Sequence, residues 1–183
     1  MSDVSEIDKV LRENIRIMAQ VITEVCQRST RKQVSPSTLS RNQFYILNIL
    51  GTSGEFLISD LARSLDISPA AASKNIDRLE QMEFVERRAR PEDRRSLEVC
   101  LLPKGKAIVD EFKLVTIEKQ APLLAQFSAE EKVVLLDLLR RIVKYTVNEE
   151  HNTELICLQC GGACGEECVV KDGMGPCALP PKQ

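Results

Sequence analysis

Apolar residues recur at intervals of three and four along most of the chain, a spacing that predicts a mainly helical protein. Ile7, Leu11, Ile15, Met18, Ile22 and Val25 form one such stripe with Glu, Arg and Gln between them, so residues 7–25 read as a long amphipathic helix. The polar stretch 33–40 interrupts the pattern, and Phe44, Leu47 and Leu50 resume it over residues 41–50. Thr38, Ser40 and Asn42 supply helix-start chemistry, and Gly51-Thr-Ser-Gly54 reads as a turn. After the apolar run Phe56-Leu57-Ile58, Ser59 is the expected N-cap of a short helix over 60–65 that buries Leu61 and Leu65. Asp66-Ile67 connects it to a second helix, announced by a Ser68 cap and Pro69 at the first helical position and running to about residue 82. Ala72, Ile76 and Leu79 mark its inner face. Two helices joined by so short a turn predict a helix-turn-helix.

Beyond that helix the period drops to two. Residues 84–88 and 97–101 read as strands, the second with Leu97, Val99 and Leu101 alternating, and the charged, proline-containing stretch 89–96 joins them as a hairpin wing. Residues 104–125 return to helical spacing, with a kink expected at Pro122, and Ser128-Ala-Glu-Glu131 is a capping box before the apolar run 133–143. This last helix is apolar on more than one face. A chain of this size has too little core to cover both it and the 7–25 stripe, which predicts a homodimer whose terminal helices cover one another. The alternative is that both stripes wrap one chain's own core.

Composition narrows the function classes. The 183 residues include 25 Lys and Arg against 27 Asp and Glu, a net charge of -2, so any nucleic-acid site is a local patch rather than a polybasic tail. No apolar run approaches the roughly 18 residues of a membrane span. The first residues show no basic segment followed by an apolar one, so a cytoplasmic protein is expected. No Ser-His-Asp set is possible away from His151, the single histidine, and no glycine-rich phosphate loop or paired-carboxylate motif occurs, so no enzyme is expected. Seven aromatic residues are too few for a platform that stacks single-stranded bases.

Local charge is more informative. Residues 85–106 carry Arg87, Arg88, Arg90, Arg94, Arg95, Lys104 and Lys106 against four acids, a balance of +3, whereas residues 148–183 stand at -4. Beside that basic hairpin, the helix starting at Ser68 turns Ala70, Ala71, Ser73, Lys74, Asn75 and Arg78 away from its inner stripe. Small residues first permit close approach to a duplex, and longer donors next reach base edges or phosphates in a major groove. Short helix, second helix and basic hairpin together point to double-stranded DNA.

These residues also carry a family resemblance. Ala72-Ser-Lys-Asn-Ile-Asp-Arg-Leu-Glu-Gln-Met-Glu-Phe-Val-Glu-Arg-Arg88, then Arg90-Pro-Glu-Asp-Arg-Arg95 and Leu101-Leu-Pro-Lys-Gly105, resemble the recognition helix, wing and following helix of MarR-type winged helix-turn-helix regulators. The resemblance covers roughly residues 7–147. It implies a mainly α fold with a small β-wing, a homodimer through N- and C-terminal helices, Asp93 and Arg95 shaping the wing, and Arg94 approaching the minor groove or backbone. Glu83 stands where the family usually has a helix-ending glycine, and Pro103 replaces a customary threonine N-cap, which bears on the left-handed cap and on where the next helix begins. Residues 1–150 then form the winged-helix and dimerisation domain and 151–183 a cysteine-rich tail.

Five of seven cysteines, Cys157, Cys160, Cys164, Cys168 and Cys177, fall in that tail with five of the eight glycines, so permissive backbone accompanies closely spaced thiols. Thiolates favour zinc or iron-sulfur centres over hard cations. The C-x2-C-x3-C-x3-C run lacks the paired C-x2-C knuckles of all-cysteine zinc sites and is nearer to iron-sulfur ligation, with four of the five as ligands. Zinc, or a metal-free thiol switch or disordered tail, is the alternative. Cys26 and Cys100 read as small hydrophobes, and His151 as a surface or helix-end residue. Wing and tail together are similar to the oxygen-responsive ChlR-type regulators of chlorophyll and haem biosynthesis genes. That similarity implies a 4Fe-4S sensor and activation at low oxygen, with RNA polymerase as partner. Two competitors remain: a MarR-type repressor with a zinc tail that senses a small aromatic acid between domain and dimer helices, and an electron-transfer or thiol-redox protein.

Overall fold

The structure, a computed structural model, describes residues 2–35, 39–89, 97–149 and 168–169. Helix α1 (Ser2–Val21) runs into a π-helical segment (Ile22–Arg28) and α2 (Ser29–Val34), followed by α3 (Arg41–Ser53), β1 (Phe56–Leu57), α4 (Ile58–Ser64), α5 (Pro69–Gln81), β2 (Val85–Ala89), β3 (Leu97–Leu101), α6 (Pro103–Leu124) and α7 (Ala129–Glu149). The sheet is antiparallel in the order β1-β3-β2, with Phe56 opposite Val99, Val85 opposite Leu101 and Ala89 opposite Leu97. This is a winged helix-turn-helix, mainly helical as the sequence predicts. No described helix is long and apolar enough to cross a membrane.

Local chemistry explains most element ends. Ser40 forms a capping box with Gln43 at the start of α3, and Ser128 with Glu131 forms the same reciprocal pair before α7. Ser68 caps α5 through the Ala71 N–H, with Pro69 at the first helical position. Both helix-turn-helix helices then end alike. Asp66 (φ 52) and Glu83 (φ 61) take left-handed backbone. Each donates to a carbonyl three residues back, and the residue after each donates five back: Ile67 to Ala62 at 3.0 Å and Phe84 to Leu79 at 2.9 Å. These are Schellman turns without glycine. Glu83 therefore keeps the left-handed cap although it carries a side chain, and Pro103 opens α6 behind Leu102, which contributes no side-chain cap.

Three expectations are corrected. Gly51 lies inside α3, not in a turn, and the helix ends at Gly54 (φ 83). A Cβ on Gly51 would stand 2.8 Å from Val109 Cγ1, so the glycine lets α3 and α6 approach. Helix α4 starts at Ile58, not after a Ser59 cap, because Phe56 and Leu57 are drawn into the sheet and Leu57 becomes the uncapped entry. In β3 the alternation fails: Leu97 is exposed, while Glu98, Val99 and Cys100 are all buried. The central strand of a three-stranded sheet is covered beyond one face.

The core gathers Phe44, Ile46, Leu47, Ile49 and Leu50 of α3, Leu61 and Leu65, the α5 stripe Ala72, Ile76 and Leu79, Val85, Val99 and Val109. Phe44 meets Phe112 edge-on at 4.8 Å between ring centroids, joining α3 to α6. The terminal stripes stay out of this core. Ile7, Leu11, Ile15, Met18 and Ile22 are exposed in the single chain, as are Val133, Val134, Leu136, Leu138, Ile142 and Tyr145 of α7. The alternative in which both stripes wrap one chain's own core is not the arrangement found.

Two glycine substitutions of opposite sign test this packing. A Cβ at Gly105 would lie 2.3 Å from the Phe84 carbonyl oxygen, which also accepts from the Leu102 N–H at 2.9 Å. Backbone cannot yield as a flexible side chain can, so Gly105→Ala is expected to cost about 3 kcal/mol. Glu83→Gly removes a left-handed penalty and only an exposed ion pair with Lys104, so it is expected to add about 0.5–1 kcal/mol. Denaturant midpoints of the two variants against wild type check both signs.

Candidate nucleic-acid interface

Helix α5 advances by about 100° per residue, which divides its surface into stripes. Ala72, Ile76 and Leu79 face the core and are fully buried. Ser68, Ala70, Lys74 and Arg78 are exposed on the far side, with Ala71 and Asn75 half-buried at its margin. Lys74 and Arg78 enter no ion pair among the described residues. They are the cations of α5 left facing solvent, and they follow a small-residue start at Ala70 and Ala71 that allows close approach to a groove.

Not every expected contact is free. The Asn75 amide donates to the Ala71 carbonyl at 2.9 Å, so its nitrogen is engaged within the helix. Ser73 faces β2, where its hydroxyl and carbonyl oxygens lie 3.4 Å from Arg87 Nη2. Arg88 is exposed but pairs with Glu86 and lies 3.6 Å from Glu55. Arg87, counted above as part of the basic hairpin, is one-fifth exposed and bound to Asp77 and Glu80. Lys104 pairs with Glu83 at 3.2 Å and Lys106 with Asp110. The +3 balance of that stretch is therefore offset by neighbouring acids wherever it is described. Arg90, Asp93, Arg94 and Arg95 lie outside the described residues, as do Cys157, Cys160, Cys164 and Cys177; Cys168 is half-buried.

A second feature lies away from α5. A cavity of about 280 Å³ opens among the π-helical segment, α2, α3 and α6, with Phe44, Tyr45 and Phe112 as aromatic walls and Arg28, Arg31 and Arg41 as cations. Arg41 donates to the Tyr45 hydroxyl at 2.9 Å and stands 5.4 Å from that ring's centroid, while Arg28 pairs with Glu24. Asn48 is buried, and its Oδ1 has no hydrogen-bond partner among the described residues. Periodicity could not reveal this cavity, because its polar lining comes from helix faces that read as solvated.

A capped helix presenting solvent-exposed cations beside a β-hairpin, on a helix-turn-helix, defines a DNA-binding module of the winged type. A model of the MarR family matches residues 39–97. HTH-type transcriptional regulator PecS of Dickeya dadantii is 32% identical over 130 residues, covering 69% of this chain and 78% of that protein. The uncharacterised HTH-type transcriptional regulator YdgJ of Bacillus subtilis is 32% identical over 104 residues, 57% of this chain and 63% of its own length. The fold is shared with the crystal structures of YusO from Bacillus subtilis (TM-score 0.64, 21% identity, 76% of this chain and 96% of that one) and of a MarR family protein from Bacillus stearothermophilus (0.61, 24%, 78% and 94%). The chain belongs to the MarR family of transcriptional regulators, proteins that bind DNA and are usually dimeric.

Cys100 behaves as the small hydrophobe expected of it. Burial pushes its thiol up to about 11, helped by the Sγ–H bond to Glu55 Oε1 at 3.2 Å and the charge of Glu55, against a smaller opposing pull from Arg88. The folded state thus holds this proton more tightly than the unfolded chain, whose thiol titrates near 9.0. Its contribution is complete below about pH 9 and is lost as pH rises through about 11. Unfolding free energy measured from pH 8 to 11 is expected to fall more steeply for wild type than for Cys100→Ala, by on the order of 2 kcal/mol over the range.

Proposed function

We propose that the protein is a homodimeric, sequence-specific regulator of transcription that reads a pseudo-palindromic duplex. The observation that carries this is the outward stripe of α5, where Lys74 and Arg78 have no acidic partner among the described residues on a helix whose inner stripe is buried in the core. The exposed terminal helices supply the surface for a second copy, which sets two α5 helices about one turn of DNA apart. The wing residues Arg90, Asp93, Arg94 and Arg95 extend the contact along the backbone or minor groove.

Its activity is controlled by a redox-sensitive 4Fe-4S cluster on four of Cys157, Cys160, Cys164, Cys168 and Cys177. Support comes from the donor set, five soft thiols in a glycine-rich run following the helix with the exposed apolar face, and from the ChlR-type resemblance of wing and tail together. Such a cluster supplies an oxygen-labile crosslink among those thiols. The chain's own part is mechanical: α7 precedes the tail, so a change in the tail acts first on the helix pair that spaces the recognition helices. The direction is activation of tetrapyrrole biosynthesis genes at low oxygen in the cytoplasm, with RNA polymerase engaged by the DNA-bound dimer.

The cavity favours a second reading, in which an aromatic acid binds between aromatic walls and arginines and the tail holds structural zinc. Metal and acid-labile sulfide analysis of anaerobically purified protein separates the two, zinc without sulfide supporting the second. The regulator reading is tested by selection from random duplex DNA under anoxia. An enriched inverted repeat is expected, with Arg78→Ala weakening its binding at least tenfold, and binding altered by air in wild type but not after serine replacement of Cys157, Cys160, Cys164 and Cys168. No enriched sequence would overturn DNA reading, and equal binding with and without air would overturn sensing.

A further inference from the structure

Arg87 belongs by composition to the basic hairpin, yet its surroundings are those of a fastener. Its backbone N–H donates to Glu80 Oε1 at 3.0 Å and its Nη1 to Glu80 Oε2, while Nη2 donates to Asp77 Oδ1 at 2.6 Å and reaches the Ser73 carbonyl and hydroxyl oxygens at 3.4 Å. Ser73, Asp77 and Glu80 are spaced four and three apart, so they form one stripe of α5, about 100° around the axis from the core stripe and a similar angle from Lys74 and Arg78. One guanidinium on β2 therefore grips three successive turns of the recognition helix along a single flank.

The core stripe alone does not fix the rotation of α5 tightly, since Ala72 is small and apolar contacts are not directional. A planar fork bonded to two carboxylates is directional. We infer that Arg87 is a positioning residue for DNA recognition: it fixes the rotational setting of α5 relative to the wing strand and so aims Lys74 and Arg78, without itself neutralising a phosphate. It also ties the two reading elements together, because the wing loop begins three residues beyond Arg87. The inference rests on the DNA-reading function proposed above.

The test uses the full chain and the duplex that wild type enriches from a random pool, with an unrelated duplex of equal length as nonspecific probe. Wild type must first prefer the enriched duplex; if it selects nothing, DNA reading itself has failed, and with it this role. Given that preference, Arg87→Met and the charge-conserving Arg87→Lys are each expected to lower the specific-to-nonspecific affinity ratio at least tenfold. The slope of log affinity against log salt on the nonspecific probe should stay at the wild-type value. A phosphate contact instead predicts near-complete rescue by lysine and a slope shallower by about one for methionine; that result overturns the proposal. Folding is controlled by circular dichroism at the binding temperature and by Asp77→Asn. In the Asp77→Asn background Arg87→Lys is expected to lose less than half as much of the ratio as it does alone, whereas full additivity of the two changes would show that Arg87 does not act through α5.

Discussion

The recognition surface depends on one constraint: α5 must bury Ala72, Ile76 and Leu79 completely while the residues between them stay outside. A helix that satisfies this against α3 and the sheet has little freedom of tilt. The adjoining Schellman turns extend the constraint to both ends. Asp66 enters the helix-turn-helix turn and Glu83 leaves α5 in left-handed backbone, each holding the next residue's N–H on a carbonyl five back. Phe84 is thereby delivered into the core, and its carbonyl becomes the floor on which Gly105 and the start of α6 sit. Recognition helix, wing strand and the helix leading to the C-terminal arm are thus mechanically continuous through a few backbone contacts.

Charge is handled by pairing rather than by excess. A protein at -2 that approaches a polyanion needs its cations placed. Most arginines and lysines near α5 are held by acids, with Arg87 in a partly buried cluster and Arg88, Lys104 and Lys106 in exposed pairs of small energetic weight. Among the described residues, Lys74 and Arg78 are the α5 cations without an ion-pair partner. Paired cations also lower nonspecific attraction, so discrimination falls to geometry more than to charge.

Much of this was legible in the sequence, for reasons that can be stated. Ser68-Pro69, the inner stripe of α5, the Ser40 and Ser128 caps and the winged order of elements follow from local propensity, which the tertiary structure respects. The start of α4 was not legible, because sheet pairing of Phe56 and Leu57 with β3 is a contact over forty residues of chain and displaces the Ser59 cap. Nor was the burial of Glu98, since alternation describes a strand covered on one side and β3 is central. Arg87 shows the limit most clearly. Composition counts it with its neighbours as positive charge, and only the closing of β2 against α5 brings Asp77 and Glu80 to it. Glu83 teaches the converse: a residue that breaks a family pattern can still adopt its backbone when five-back hydrogen bonds and a buried Phe84 demand it.

The exposed faces of α1 and α7 complete the physical picture. Leu11, Ile15 and Met18 at one end of the chain, and Val134, Leu138 and Ile142 at the other, present more apolar surface than a solitary domain of this size ordinarily leaves in water. A second copy of the chain, usual in the MarR family, would cover such faces and would make the spacing of two α5 helices a property of the pair. The π-helical segment falls between the exposed α1 stripe and the rest of the domain, and Thr23, Gln27 and Arg28 within it line the arginine-rich cavity. A π-turn holds one residue more than an α-turn, so any change in its winding rotates α1 relative to α2. The cavity and the exposed α1 stripe are therefore joined through that one segment.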